Sequence, residues 1–252
     1  MSENQIKNSP KSNVISLSLK KHILLTAVGC VIFQIISYIV TYIVVNCLPG
    51  NTLTDKENLF YSDPTYNMWI LTGCYLATFI ALIIILLKDR IKVLESFKKW
   101  KNYLIGFALG AGLIIYSMVY GQIVGNFASS NENQQAAVEL MGRFPIFGFF
   151  IVSIIGPILE EITYRLGLFS LGAKYKKWLG YVLSIVIFAL IHINFVSKDI
   201  VAELINLPTY MVCGVVLGLA YDKFGFATSV TAHITNNLIG FFTTFVSTLT
   251  SK

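Results

Sequence analysis

Apolar runs of roughly 20 residues recur along this chain, each long enough to cross about 30 Å of hydrocarbon at about 1.5 Å per residue. They fall at about 23–47, 68–87, 103–127, 146–171, 179–195, 204–220 and 226–249, the fifth and sixth being the shortest. Of the 252 residues, 55% are hydrophobic and 13% charged, against about 25% charged in a soluble domain. The expected fold is therefore all-α, a polytopic membrane protein with about seven transmembrane helices and no separate soluble domain. The first run is too long for a signal-peptide core and has no small-residue cleavage site behind it, so it reads as a retained span.

Loop charge tests this segmentation independently, because Lys and Arg collect on the cytoplasmic side. With the N-terminus inside, the inner segments hold fourteen basic residues: Lys7, Lys11, Lys20, Lys21, Lys88, Arg90, Lys92, Lys98, Lys99, Lys101, Lys174, Lys176, Lys177 and Lys223. The outer segments hold four, Lys56, Arg143, Lys198 and Lys252. Trp100 and Trp178 mark inner boundaries and Trp69 an outer one, as interfacial aromatics do. The net charge of +6 follows the loops and forms no groove-sized patch, so no nucleic-acid partner is expected. The partner surface is the lipid bilayer, and the abundance of Asn, Ile and Lys points to a bacterial plasma membrane.

Cys30, Cys47, Cys74 and Cys213 lie in or beside spans without metal-type spacing and read as small buried hydrophobes. The first twenty residues are polar and are expected to stay unstructured. His22, among basic residues, is expected at the interface. Gly106 and Gly110, and likewise Gly121 and Gly125, are spaced to let the third span approach another helix.

Charge inside the fourth run needs explaining. "GPILEEITYR", residues 156–165, carries two carboxylates and an arginine in an apolar setting, where a charge costs about 2.5–3.5 kcal/mol on insertion scales. Glu161 and Arg165 are four apart with the acid first, the better orientation for an ion pair. Glu160 points about 100° away and is left over. Pro157 lacks an amide hydrogen and should leave the Ser153 carbonyl without its helical donor. A structural ion-pair cluster would need one carboxylate and Arg165, and the second carboxylate is surplus to it.

Further along, His192 stands in "FALIHINF", and His233 with Asn237 in "TAHITNN", four apart on one helical face. No HExxH and no Gly-x-Ser-x-Gly is present. A carboxylate to take a proton from water, imidazoles to orient it and an amide to stabilise an oxyanion suit peptide hydrolysis. An ion-coupled transporter could use the same groups, though no repeat of broken helices is visible.

"EEITYR", "FALIH" and "HITNN" resemble, in order, the EExxxR, FxxxH and HxxxN motifs of the CPBP family of intramembrane proteases, which includes the type II CAAX prenyl endopeptidases and bacterial Abi proteins. The similar region runs from about 145 to 245. The resemblance divides the chain into a polar cytoplasmic segment at 1–22, N-terminal transmembrane helices over 23–145 and a CPBP-like catalytic core over 146–249. It implies a membrane-associated peptide or protein substrate and a cavity open toward the cytoplasm. Glu160 takes the place of the water-activating glutamate with His192 assisting, His233 and Asn237 that of the oxyanion pair, and Glu161 and Arg165 a supporting role. Leu166 stands where many relatives have glycine, displaced here to Gly167. The other class of function the resemblance leaves open is a non-catalytic immunity or envelope-regulating scaffold. No metal is required by this assignment. Zinc is the alternative, held by Glu160, His192 and His233.

Overall fold

The computed structural model describes residues 13–250, which form helices joined by short turns. We number them α1 (Leu19–Cys47), α2 (Leu53–Ser62), α3 (Pro64–Lys98), α4 (Trp100–Val124), α5 (Glu132–Arg143), α6 (Pro145–Ala173), α7 (Lys177–Leu190), α8 (Ile200–Phe224) and α9 (Phe226–Thr250). Lys7, Lys11 and Lys252 lie outside the described residues, as does most of the polar segment placed at 1–22.

Five of these helices are long and apolar enough to cross a membrane: α1, α3, α4, α6 and α8. The expectation of about seven is corrected to this number for two reasons. Helix α7 has 14 residues, a rise of about 21 Å that falls short of a bilayer core. Helix α9 has the length at 25 residues, but Thr228, Ser229, Thr231, His233, Asn236 and Asn237 interrupt its apolar character. Most of those polar groups turn inward, toward the neighbouring helices and the site. Rows such as Ile35, Ile39 and Ile43 on α1, and Phe107, Ile115 and Val119 on α4, are exposed in the isolated chain and provide the lipid-facing surface.

The basic connections meet at one end of the bundle. There the side chains of Lys21 and Asp89 form an ion pair, Lys177 reaches Asp222 at 2.8 Å, and Asn13 donates to the Lys223 carbonyl at 2.6 Å. Residues 13–17, expected to be unstructured, pack under this end. The Ile15 amide donates to the Tyr221 hydroxyl at 2.9 Å, and Leu17 is buried. His22 is also buried, correcting its interfacial assignment. Its Nδ1 donates to the Leu166 carbonyl at 2.5 Å and its Nε2 accepts from the Leu17 amide at 3.2 Å. Leu17, Leu25, Leu82, Leu159, Phe169, Tyr221 and Phe226 belong to the cluster that fills this half of the bundle.

Helix α9 packs most extensively on α4, along the small-residue face. A Cβ on Gly106 would meet Thr231 Cβ at 2.6 Å, and one on Gly110 would meet Thr235 Cβ at 2.7 Å. The expected second pair does not act this way. Gly121 has open space beside it and lines a cavity, and Gly125 approaches only Gly121 of its own helix.

Candidate active site

Helix α6 changes register on both sides of its carboxylates. It is π-helical over Gly148–Ile155, α-helical over Gly156–Glu161 and π-helical again over Ile162–Phe169, a distortion that recurs where helices carry function. The wider register corrects the carbonyl that Pro157 orphans. In π geometry the donor of residue 157 serves residue 152, and Pro157 has none to give. The carbonyl without a donor is therefore Val152, and Asn237 Nδ2 fills the vacancy at 3.0 Å. Asn236 Nδ2 in turn donates to Asn237 Oδ1 at 3.0 Å, which fixes the orientation of the amide.

The two glutamates separate within the single α-helical turn between these segments. Glu161 is fully buried: its Oε2 lies 3.1 Å from Arg165 Nε and its Oε1 accepts from His233 Nδ1 at 3.0 Å. Arg165, also fully buried, donates to Ser184 Oγ at 2.6 Å and rests with Cζ 5.3 Å from the Phe188 ring centre. Its contact with Glu161 is an ion pair without an aligned hydrogen bond, so Ser184 and the Phe188 face share the compensation of its charge. At Gly167 a Cβ would meet Thr26 Oγ1 at 2.8 Å, so the missing side chain lets α1 close on α6.

Glu160 instead faces a cavity of about 560 Å³, shared with Tyr75, Phe188, His192, His233 and Asn237. Its Oε2 is buried and accepts no hydrogen bond among the described residues, and His233 Nε2 is 3.7 Å away. With Nδ1 committed to Glu161, His233 presents Nε2 to Glu160. His192 follows the same logic, its Nδ1 donating to the Phe188 carbonyl at 2.6 Å. It sits just beyond α7, whose early end keeps the imidazole at the depth of Glu160, where a full-length span would carry it toward the outer surface.

Three residues that hold His192 were not singled out from the sequence. Tyr210 stacks on the imidazole with ring centres 4.5 Å apart and planes at 21°. Asn131 Nδ2 donates to the His192 carbonyl at 3.0 Å, and its Oδ1 accepts from Tyr210 at 3.1 Å. Buried Glu203 gathers the amides of Glu132 at 2.8 Å and Asn194 at 3.0 Å. Glu203 was discoverable, since it is an ionisable group near the start of an apolar run. Asn131 lies in a polar connection that offers no such signal. Asn236 and Ser184 were also missed.

Engaging Nδ1 and freeing Nε2 would suit metal ligation by both histidines as well as proton transfer. Among the described residues, however, no three His, Cys, Asp or Glu side chains are gathered closely enough to hold a metal ion. The set of Glu160, His192 and His233 does not meet that requirement as it stands.

Residues 142–239 match the family model for type II CAAX prenyl endopeptidase Rce1-like proteins. Three curated bacterial proteins are similar. UPF0177 protein YvdC of Lactococcus lactis is 29% identical over 56% of this chain and 53% of its own length. The membrane-embedded CAAX protease MroQ of Staphylococcus aureus is 32% identical over 58% and 60%. The putative membrane peptidase YdiL of Bacillus subtilis is 29% identical over 69% and 68%. The chain thus spans less than two thirds of the length of the first two. No solved structure matches it. The long apolar helices and these relatives together make the chain a multi-pass membrane protein, similar over residues 142–239 to the Rce1-like CAAX proteases.

Proposed function

We propose that this chain is an intramembrane endopeptidase that hydrolyses a peptide bond of a membrane-associated peptide or protein, with Glu160 as the general base. The observation that carries the reading is that Glu160 lines the cavity while its buried Oε2 accepts no hydrogen bond among the described residues and lies 3.7 Å from His233 Nε2. A carboxylate whose acceptor is left open in a buried site is placed to take a proton from a water molecule. The water oxygen then bonds to the scissile carbonyl carbon, whose oxygen becomes the oxyanion. Glu160, now protonated, returns the proton to the departing amine as the carbon–nitrogen bond breaks.

His192 orients the water from the opposite wall. With Nε2 carrying a proton as well as Nδ1, His233 stabilises the oxyanion together with the second Nδ2 hydrogen of Asn237, an interaction worth about 2.7–4 kcal/mol per donor in comparable sites. Glu161 and Arg165 hold His233 in place. MroQ is described as a CAAX protease and YdiL as a putative membrane peptidase, which supports the reaction class. In this reading α7 and α9 complete the membrane bundle around the site, with the basic end in the cytoplasm.

The test is comparative peptidomics of cells carrying the wild-type chain or Glu160→Gln at equal abundance. Products present with the wild type should vanish with the variant. An unchanged peptide profile beside an unchanged cellular function would favour a non-catalytic scaffold.

A further inference from the structure

The cavity is strongly asymmetric along the bundle axis. From Glu160 it extends toward the end formed by the α4–α5 and α7–α8 connections, where Tyr120, Ser130, Asn133, Gln134, Asn206 and Tyr210 line it. In the other direction the bundle is solid. Leu159, Ile162, Leu166, Phe169, Tyr221 and Phe226 are buried between the carboxylates and the basic end. Beneath them the segment at 13–17 is held by the Asn13 to Lys223 and Ile15 to Tyr221 hydrogen bonds. Access by way of the basic end would require removing a packed apolar layer, whereas access from the other end requires no rearrangement of that layer.

The same two ends differ in charge. Lys20, Lys21, Lys88, Arg90, Lys92, Lys98, Lys99, Lys101, Lys174, Lys176, Lys177 and Lys223 occupy the sealed end, and Lys56, Arg143 and Lys198 the open one. A bias of that size sets the orientation of a multi-span protein, with the basic end cytoplasmic. Mouth and charge therefore point in opposite directions. The cavity wall contains no Lys or Arg, and Glu160 is its one carboxylate among the described residues. Its wall is mixed, with Phe33, Leu71, Leu113 and Phe147 apolar and Gln34, Ser37, Ser117 and Asn236 polar but uncharged.

We propose that the site opens to the extracytoplasmic side, opposite to the cytoplasmic opening expected from the family resemblance, and that it receives an uncharged segment of a membrane-anchored peptide presented from that side. The side of access stands on packing and charge alone, while the identity of the occupant as a peptide to be cut rests on the hydrolase reading above.

The experiment labels single cysteines with a membrane-impermeant sulfonated maleimide, in a chain whose Cys30, Cys47, Cys74 and Cys213 have been replaced by alanine. Ser117→Cys reports the cavity wall, Asn133→Cys its mouth and Lys176→Cys the sealed end, in intact cells and in inverted membrane vesicles. Ser117→Cys and Asn133→Cys should label in intact cells, and Lys176→Cys only in inverted vesicles. Labelling of Lys176→Cys in intact cells, or of Ser117→Cys only in inverted vesicles, would overturn the assignment. So would a Ser117→Cys chain that labels from neither side yet labels fully once unfolded in detergent. The pattern should be the same when Glu160→Gln is added, so a failure of the hydrolase reading leaves this result standing and is seen separately. Cut sites mapped on the peptides lost with Glu160→Gln should lie in extracytoplasmic or outer-leaflet segments. Cut sites confined to cytoplasmic segments would contradict the proposed substrate.

Discussion

His233 Nδ1 lies 3.0 Å from Glu161 Oε1, and the other oxygen of that carboxylate faces Arg165 at 3.1 Å. One buried carboxylate thus neutralises a guanidinium and aims an imidazole at its neighbour Glu160. Replacing Glu161 with Gln leaves Arg165 without its counter-charge, at a cost of about 3–5 kcal/mol. Glu161→Gln and Arg165→Ala should therefore lose abundance and thermal stability in detergent as well as cleavage. Glu160→Gln should lose cleavage alone. Thermal melts of the three purified variants check this, and equal melting temperatures would refute the division of labour between the glutamates.

Asn237 holds the Val152 carbonyl and, in the proposed mechanism, the oxyanion, and the two can be separated. Asn237→Ala removes the donor to the Val152 carbonyl, leaving a buried acceptor unsatisfied at about 1–3 kcal/mol. Under the proposed mechanism it also removes an oxyanion donor, which should slow cleavage by roughly 100-fold or more. Pro157→Ala restores an amide hydrogen where the π register needs one. The double variant should regain stability relative to Asn237→Ala while staying slow. A cycle of melting temperatures and initial rates over the four proteins measures both quantities, and simple additivity in stability would deny the link between Pro157 and Asn237.

The carboxylate pair was legible in the sequence because charge inside a span demands a reason, and the spacing of Glu161 to Arg165 gave the ion pair directly. The helix register was not. Pro157 marked the place of the missing hydrogen bond, but an α-helical count assigned it to Ser153, because nothing local announces a π segment. The span count failed for a related reason. Helix α7 must end early for His192 to reach Glu160, and α9 must be polar to hold His233, Asn236 and Asn237, so both depart from the hydropathy of a spanning helix for the sake of the site.

Tyr210 fixes the plane of His192 by stacking, a contact worth about 0.5–1.5 kcal/mol. Tyr210→Leu should lower kcat by about three- to tenfold with KM nearly unchanged, because the imidazole loses its orientation while the cavity stays open. Tyr210→Phe keeps the ring, loses only the hydrogen bond to Asn131, and should retain most of the activity. A fall in abundance without a change in kcat would make Tyr210 structural only.

Glu132 accepts from Ser197 Oγ at 2.6 Å and from Asn194 Nδ2 at 2.5 Å. These hydrogen bonds, that from Ser197 first, hold its carboxyl below the usual carboxylate range. A depressed folded-state value means that the contribution is present above the unfolded value and is lost as pH falls through the folded one. Acidification below the ordinary glutamate range should therefore loosen residues 194–199, which follow His192, before the bundle opens. Hydrogen exchange across that segment should accelerate at low pH in the wild type and be fast and far less pH-dependent in Glu132→Gln, once intrinsic exchange is subtracted. Equal protection in both proteins at neutral pH would contradict the clamp.

Hydrolysis by Glu160 is tested most directly with purified protein and a peptide taken from the products lost in Glu160→Gln cells, incubated in water enriched in oxygen-18. Direct attack by activated water places one heavy oxygen in the new C-terminal carboxylate during a single turnover, and Glu160→Gln, with normal abundance and melting temperature, should form no product. Product formed by Glu160→Gln at the wild-type rate, or cleavage without heavy oxygen in the new carboxylate, would contradict a glutamate-activated water.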